Sequence, residues 1–360
     1  MVTRHAVHRI GAITFLSLGL AATAVLCTSS AFAATPALIN GVYDLTNLGI
    51  IQSSILTNPN IDGIAIRIGW NKLEPTDGAF NWTAVDSMIT QASAHGKKVS
   101  ISVLAGSASP QWLYSEGAHT YKWIWDRAWG PSLCTVATMP VPWDPIFQVK
   151  WGNFIAAFGA KYNSNPAVSH VKLNGINSDT AETLLPISVH ESINGGQCMG
   201  YDDVANWRAV GYTRVKVETA FLQIADEFYG AFPNREAALM QVRCGFPPID
   251  DNGNIIPNAV CDQQITTDLF NLGITNFGRG RFIGQNNGFT GSWIWPLLVT
   301  DSAYLDTGYQ ERSPLGGQFP NAVTLAVNGH AKFIEVYESD LTNSSLQSAI
   351  ATAHKGLLAN

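Results

Sequence analysis

"GIAIRIGWNKLEPTDGAFNWTAVDSMITQASAHGKKVSISVL", residues 63–104, contains one complete strand–helix–strand pattern. Two short runs rich in Ile and Val, Gly63–Ile68 and Lys98–Leu104, predict strands. Between them, apolar residues recur at helical spacing over Thr83–His95, which predicts a helix. A strand, a helix and a second strand at this spacing are typical of a βα unit in a parallel sheet.

The same kind of segment recurs along the whole chain, without a fixed period or a linker. Short β-branched runs predict eight strands in all, and the first and seventh of them are the weakest. These runs are Ala37–Tyr43, Gly63–Ile68, Lys98–Leu104, Val168–Ile176, Ala237–Val242, Arg281–Gln285, Thr307–Gln310 and Lys332–Tyr337.

Helical patterns follow most of these strands. The clearest are Thr83–His95, Ile146–Tyr162, Asp203–Phe232, Gln263–Leu272, Asn321–Asn328 and Asn343–Leu357. Eight βα units in one chain of this length predict a (β/α)8 barrel, an α/β TIM barrel with loop insertions at its C-terminal face. A doubly wound open sheet is the alternative, but no G-x-G-x-x-G follows the first strand, so a dinucleotide site lacks support.

The first 33 residues have the pattern of a secretory signal peptide. Arg4 and Arg9 precede an apolar run from Ile10 to Leu26, and Ala31-Phe32-Ala33 supplies an A-x-A cleavage site. Cleavage before Ala34 leaves residues 34–360 as one catalytic domain. An uncleaved anchoring helix is the alternative, because the apolar run is marginally long enough to span a bilayer.

The charge balance indicates which partners the predicted mature chain binds. The signal contains two of the 21 basic residues and none of the 27 acidic ones, so the remaining chain has a net charge of −8. An acidic surface without a basic run argues against nucleic acid or an anionic membrane as partner. Only 13% of residues are charged, which suits a secreted protein that binds a neutral polar ligand. We expect a monomer or a weak oligomer.

Four cysteines remain after the predicted cleavage. An even number in an exported chain predicts two disulfides, Cys244 with Cys261 and Cys134 with Cys198. Four free, buried thiols are the alternative. The cysteine spacing does not resemble a zinc site, and no cofactor or metal is expected.

Carboxylates follow two of the predicted strands at the barrel end where chemistry takes place. The fourth strand runs into "INSDTAETLLP", residues 176–186, with Asp179 and Glu182, and the seventh ends in "GYQERSP", with Glu311. A retaining glycosidase needs two carboxyls ~5–5.5 Å apart, one to protonate the leaving oxygen and one to attack the anomeric carbon. Glu335 and Glu338 near the eighth strand are spare candidates.

The second βα unit resembles that of the clan A superfamily of retaining (β/α)8 glycoside hydrolases, which includes family 42 β-galactosidases and cellulase-like families. The similarity is specific over residues 60–113. The matching residues are Arg67, Trp70, Glu74-Pro75, Gly78, Phe80, Trp82 and Asp86.

The resemblance implies a role for each of three residues. Glu182 would be the acid/base, Glu311 the nucleophile, and Arg67 the cation that keeps the nucleophile ionised. In one respect the chain departs from the superfamily, which usually has Asn directly before the acid/base. Ala181 occupies that place here, and Asn177 lies five residues before Glu182.

Further residues at the strand ends are candidates for binding an oligo- or polysaccharide. Trp70 and Trp112 are predicted to offer flat faces to sugar rings, and Asn177, Asn286 and Tyr309 are predicted to bind hydroxyls. A non-catalytic carbohydrate-binding barrel is the alternative function. An esterase is a further alternative, but this chain has no G-x-S-x-G motif to support it.

Overall fold

Eight parallel strands close into a barrel in the computed structural model of the chain, which describes residues 39–45, 48–125, 134–188, 198, 200–289 and 292–360. The barrel order is β1-β2-β3-β6-β7-β8-β9-β10, with β10 paired to β1. This confirms the predicted (β/α)8 fold. The strands are β1 (Gly41–Leu45), β2 (Gly63–Gly69), β3 (Lys98–Leu104), β4 (Thr120–Ile124), β5 (Val136–Pro140), β6 (Val168–Lys172), β7 (Glu236–Gln241), β8 (Phe282–Asn287), β9 (Asp306–Gln310) and β10 (Phe333–Tyr337).

The helices follow the barrel strands, as the sequence predicts, with several additional short helices between them. The one long pattern over Asp203–Phe232 forms two helices, because Gly211 has a φ of 74° and the Thr213 side chain caps the second helix. The helices are α1 (Ser53–Leu56), α2 (Trp70–Leu73), α3 (Thr83–Ser93), α4 (Gln111–Ser115), α5 (Pro145–Tyr162), α6 (Asp203–Ala209), α7 (Arg214–Ala231), α8 (Gln264–Asn276), α9 (Ile294–Asp301), α10 (Phe319–Asn328), α11 (Glu338–Leu341) and α12 (Gln347–Ala359).

The two faces of each barrel strand have different neighbours. On β2, Ile64, Ile66 and Ile68 belong to the large apolar cluster that includes buried side chains of the surrounding helices. Ala65 instead belongs to a smaller cluster with Tyr43 and other inward side chains of the barrel. Because successive side chains of a strand point to opposite faces, this division tells which residues further along each strand face the interior.

A hairpin and two disulfides lie outside the barrel wall. β4 and β5 form the antiparallel hairpin between β3 and α5, which the sequence did not predict because both runs are short and lack a clear turn signal. The Cys134–Cys198 disulfide joins a position two residues before β5 to the segment after β6. Cys244–Cys261 closes a loop after β7. Both disulfides have the predicted pairing.

Some predictions concern parts of the chain beyond the described residues. The predicted signal peptide, residues 1–33, is one of them. Across the described ranges, no helix combines the length and apolarity needed to cross a bilayer.

Candidate active site

A polar layer occupies the barrel interior above the apolar cluster. Arg67 lies two residues after the inward Ala65 on β2, and Lys172, Gln285 and Glu335 lie on β6, β8 and β10. In barrels of this kind, alternate strands contribute the side chains of one layer. Lys172, Gln285 and Glu335 contact one another and form the floor beneath the carboxyl ends of the strands, and Arg67 faces the same interior from β2.

Glu182 reaches the end of β6 by an unusual chain path. The Leu173 amide donates to the Ala238 carbonyl (2.9 Å), and the Thr183 amide donates to the Met240 carbonyl (2.7 Å), the next ladder position along β7. Residues 174–182 are thus a loop inserted into one strand ladder. Glu182 is its last residue, and the loop places it at the strand end despite its distance in sequence from Lys172.

Two amides fix one oxygen of Glu182. Its Oε1 accepts hydrogen bonds from Asn287 Nδ2 (2.5 Å) and Gln310 Nε2 (3.1 Å), at the carboxyl ends of β8 and β9. Its Oε2 is buried and has no hydrogen-bond partner among the described residues. A carboxyl with one fixed and one uncommitted oxygen is suited to exchange a proton with a bound ligand.

Glu335, a spare candidate from the sequence, is part of a buried ion pair. Its Oε1 lies 2.7 Å from Lys172 Nζ, and its Oε2 accepts a hydrogen bond from Gln285 Nε2 (2.7 Å). Lys172 also donates to Gln285 Oε1. Burial lowers the pKa of Lys172, and the Glu335 carboxylate opposes this effect. The other spare candidate, Glu338, begins α11.

Arg67 faces the same interior but has no acceptor there. Its side chain is half-buried, and among the described residues it makes no hydrogen bond or ion pair. Its charge lowers the pKa of Lys172, which places the two cations in each other's field. The predicted proximity of Arg67 to Glu311 is not found, since burial, the Tyr337 amide and Asp340 are the main influences on Glu311.

Glu311 lies on the other side of the barrel wall from Glu182. Gln310 points inward to Glu182, so the neighbouring positions Tyr309 and Glu311 point outward. Glu311 Oε2 accepts from the Tyr337 amide (2.7 Å), and the carboxyl also interacts with Asp340. Burial, reinforced by Asp340, raises the pKa of Glu311 to about 8. The structure thus brings Gln310, not Glu311, to Glu182.

The raised pKa of Glu311 predicts a pH-dependent stability. Between pH 4.5 and about 8 the folded chain keeps this proton while the unfolded chain releases it, so stability falls as pH rises. In this pH range the free energy of unfolding should fall by up to ~1.4 kcal/mol per pH unit because of Glu311, and Glu311→Gln should remove that dependence. Urea unfolding of both proteins at pH 5 and pH 8 checks this. Equal pH dependence in both would contradict it.

The two predicted sugar platforms are part of the aromatic core. Trp70 is fully buried against Trp151 and Phe154, and its Nε1 donates to Glu74 Oε2 (2.7 Å). Trp70 packs under α5 because it follows β2 on the outward face, and its contact with a sugar stays a prediction. Trp112 is half-buried edge-on to Trp70 and donates to the Glu74 carbonyl (2.9 Å).

The three predicted hydroxyl-binding residues are buried, and two of them make hydrogen bonds within their own loops. Asn177 is buried and closes its own loop, accepting from the Gly175 amide (3.1 Å) and donating to the Thr180 carbonyl (3.0 Å). Asn286 is buried and donates to the Gly288 carbonyl (2.6 Å). Tyr309 is buried beside Phe289 on the outer face of β9. The Tyr309 hydroxyl and Asn286 Oδ1 have no hydrogen-bond partner among the described residues, and hydroxyl binding by the three residues stays a prediction.

The residues that the sequence reasoning missed lie next to those it selected. Asn287 follows Asn286, and Gln310 follows Tyr309, so each missed residue is on the inward face of its strand. The alternation of side chains, counted from the inward Ile283 on β8, would have identified Asn287. Lys172 was recognisable as a charged residue within an apolar strand.

One family model matches part of the chain. It is the model of glycoside hydrolase family 42, described as "Beta-galactosidase", and it matches residues 54–177. This segment runs from α1 past β6 to the inserted loop and ends before Glu182. No curated protein matches the chain in sequence.

Solved structures share the barrel fold at low identity. The catalytic domain of a β-amylase from Paenibacillus polymyxa is 9% identical with a TM-score of 0.54, covering 90% of this chain and 99% of that one. A cold-adapted β-galactosidase from Rahnella sp. R3 is 10% identical with a TM-score of 0.50, covering 90% of this chain. The chain spans 57% of that galactosidase. With the family match over residues 54–177 and the closed parallel barrel, the chain is similar to the (β/α)8 glycoside hydrolases.

Proposed function

We propose that the chain is a glycosidase that cleaves a β-linked saccharide, with Glu182 as the residue that protonates the leaving oxygen. The observation that carries this proposal is the uncommitted Oε2 of Glu182 inside the barrel, with Oε1 held by Asn287 and Gln310. As the glycosidic bond breaks, Glu182 gives its proton to the departing oxygen. It then takes a proton from the water that completes hydrolysis.

Cleavage with retention also requires a second carboxylate on the opposite side of the bond. We favour Glu335 over Glu311 for this role. Glu335 shares the interior with Glu182, since it is in register with Gln310 on the neighbouring strand, and it lies 2.7 Å from Lys172 Nζ. Glu311 points away from this interior and has a pKa raised to about 8, whereas a nucleophile must be ionised.

Two further features of the proposal rest on separate support. The β-linkage follows the description of the matching family model. Action outside the cytoplasm follows from the two disulfides, because such bonds persist in oxidising compartments.

A panel of β- and α-linked aryl-glycosides and polysaccharides tests the proposal, with the product anomer read by NMR. We expect turnover of a β-linked substrate and initial formation of the β anomer. The inverted anomer would refute double displacement and require carboxyls ~6.5–9.5 Å apart. A 2-fluoro sugar that labels Glu311 would refute the assignment of Glu335.

A second candidate function, a carbohydrate-binding barrel without turnover, is favoured by one observation. Both oxygens of Glu335 are engaged and its side chain is only 1% exposed, so a bound sugar has little access to it. Saturable binding of a saccharide without turnover of any member of the panel would establish this second function.

A further inference from the structure

Arg67 is a cation without an anion inside the barrel. It follows Ala65 on the inward face of β2 and is half-buried below the strand ends. No described residue accepts a hydrogen bond from its guanidinium or pairs with its charge. A half-buried guanidinium with five donors and no protein acceptor is available to a ligand that supplies acceptors in place of water.

The charged side chains that share this interior do not pair with Arg67. Lys172 lies close enough for the two cations to repel each other. The Glu335 carboxylate is already engaged by Lys172 and Gln285. Glu182 is held by Asn287 and Gln310 and makes no ion pair with Arg67. Arg67 is therefore a cation of this interior that makes no ion pair with a described residue.

We propose that Arg67 binds the carboxylate of the substrate, and that the substrate of this site is a β-linked hexuronic acid residue. The assignment rests on the proposed function, because the glycosidic oxygen of the uronide is placed at Glu182. A planar guanidinium matches a planar carboxylate with two parallel hydrogen bonds, and Lys172 adds positive potential nearby. This ligand replaces the neutral saccharide predicted from composition.

Binding to the Glu182→Gln protein tests this assignment without turnover. Calorimetry compares the methyl β-glycosides of glucuronic and galacturonic acid with those of glucose and galactose, and with a 6-sulfated sugar. One uronide should bind ~10–100-fold more tightly than its neutral counterpart, as expected for charged hydrogen bonds, and the preference should shrink with added salt. Arg67→Met should abolish the preference, and Arg67→Lys should retain part of it.

Arg312→Met is the matched control, because Arg312 is exposed on the loop after β9 and its loss changes the net charge equally. It should leave the uronide preference intact. Equal affinity for uronides and neutral sugars in the parent protein would overturn the proposal even if Arg67→Met fails to fold. Tighter binding of the sulfated sugar than of either uronide would also overturn it.

The uronide assignment and the proposed glycosidase function fail on different outcomes. If neutral glycosides are turned over with a higher kcat/KM than uronides, and Arg67→Met leaves that ratio unchanged, the uronide assignment fails and the glycosidase stands. If a uronide binds selectively through Arg67 and no glycoside is turned over, the glycosidase fails and the ligand class stands.

Discussion

Glu182→Gln should lower the turnover of unactivated saccharides by roughly 10²–10⁴, the usual contribution of general acid–base catalysis, and leave their binding nearly unchanged. The glutamine keeps the shape of the side chain and accepts the hydrogen bonds of Asn287 and Gln310 through its oxygen. It has no carboxyl proton to give to the leaving oxygen. Steady-state kinetics with calorimetric binding measure the two effects separately.

Glu311→Gln is the matched control for this loss. Glu311 is a buried carboxyl at the same end of the barrel, but it contacts the Tyr337 amide and Asp340 on the outward face. We expect its kcat near pH 7 to stay within about threefold of the native value, since an amide replaces a group that is already mostly protonated there. A loss of the size expected for Glu182→Gln would return the nucleophile role to Glu311.

Lys172→Met should have the largest effect on stability, a loss of ~3–5 kcal/mol in the free energy of unfolding. Lys172 and Glu335 are 3% and 1% exposed and lie 2.7 Å apart. Removing the lysine leaves a buried carboxylate with only amide and hydroxyl partners. Urea unfolding at pH 7 measures the change through the transition midpoint.

Two further variants test whether the loss of stability comes from the broken buried ion pair or from the removal of any lysine charge. The double variant Lys172→Met with Glu335→Gln should regain most of the loss, because no unpaired charge remains. Lys161→Met breaks an exposed pair with Asp86 (2.9 Å) and should cost under ~1 kcal/mol. A double variant as unstable as Lys172→Met would show that the lysine acts through packing.

The architecture was predictable because local signals repeat along the chain. Each β-branched run became a barrel strand, since a fully buried parallel strand needs continuous apolar residues. The disulfide pairing was predictable from an even cysteine count and the closeness of Cys244 to Cys261. Thr120–Ile124 was missed because its pairing with β5 is a tertiary contact with little local pattern.

The site was only partly predictable because it depends on which face each residue occupies. Glu182 was selected by its position after the fourth strand, although the inserted loop that brings it to the strand end has no sequence signature. Tyr309 and Glu311 were assigned to the interior, but a one-residue shift along a strand exchanges its two faces. Of these three neighbouring residues, Gln310 is the one whose side chain points into the interior.

The dependence of rate on the leaving group tests the role of Glu182 most directly. Native protein and Glu182→Gln are compared on two β-glycosides with one sugar, one with a nitrophenol leaving group and one with an alkyl alcohol. Only the alcohol needs a proton to depart, so we predict that its kcat/KM falls at least about 100-fold more than that of the nitrophenyl glycoside. Equal losses on both substrates would contradict the assignment of Glu182 as the proton donor.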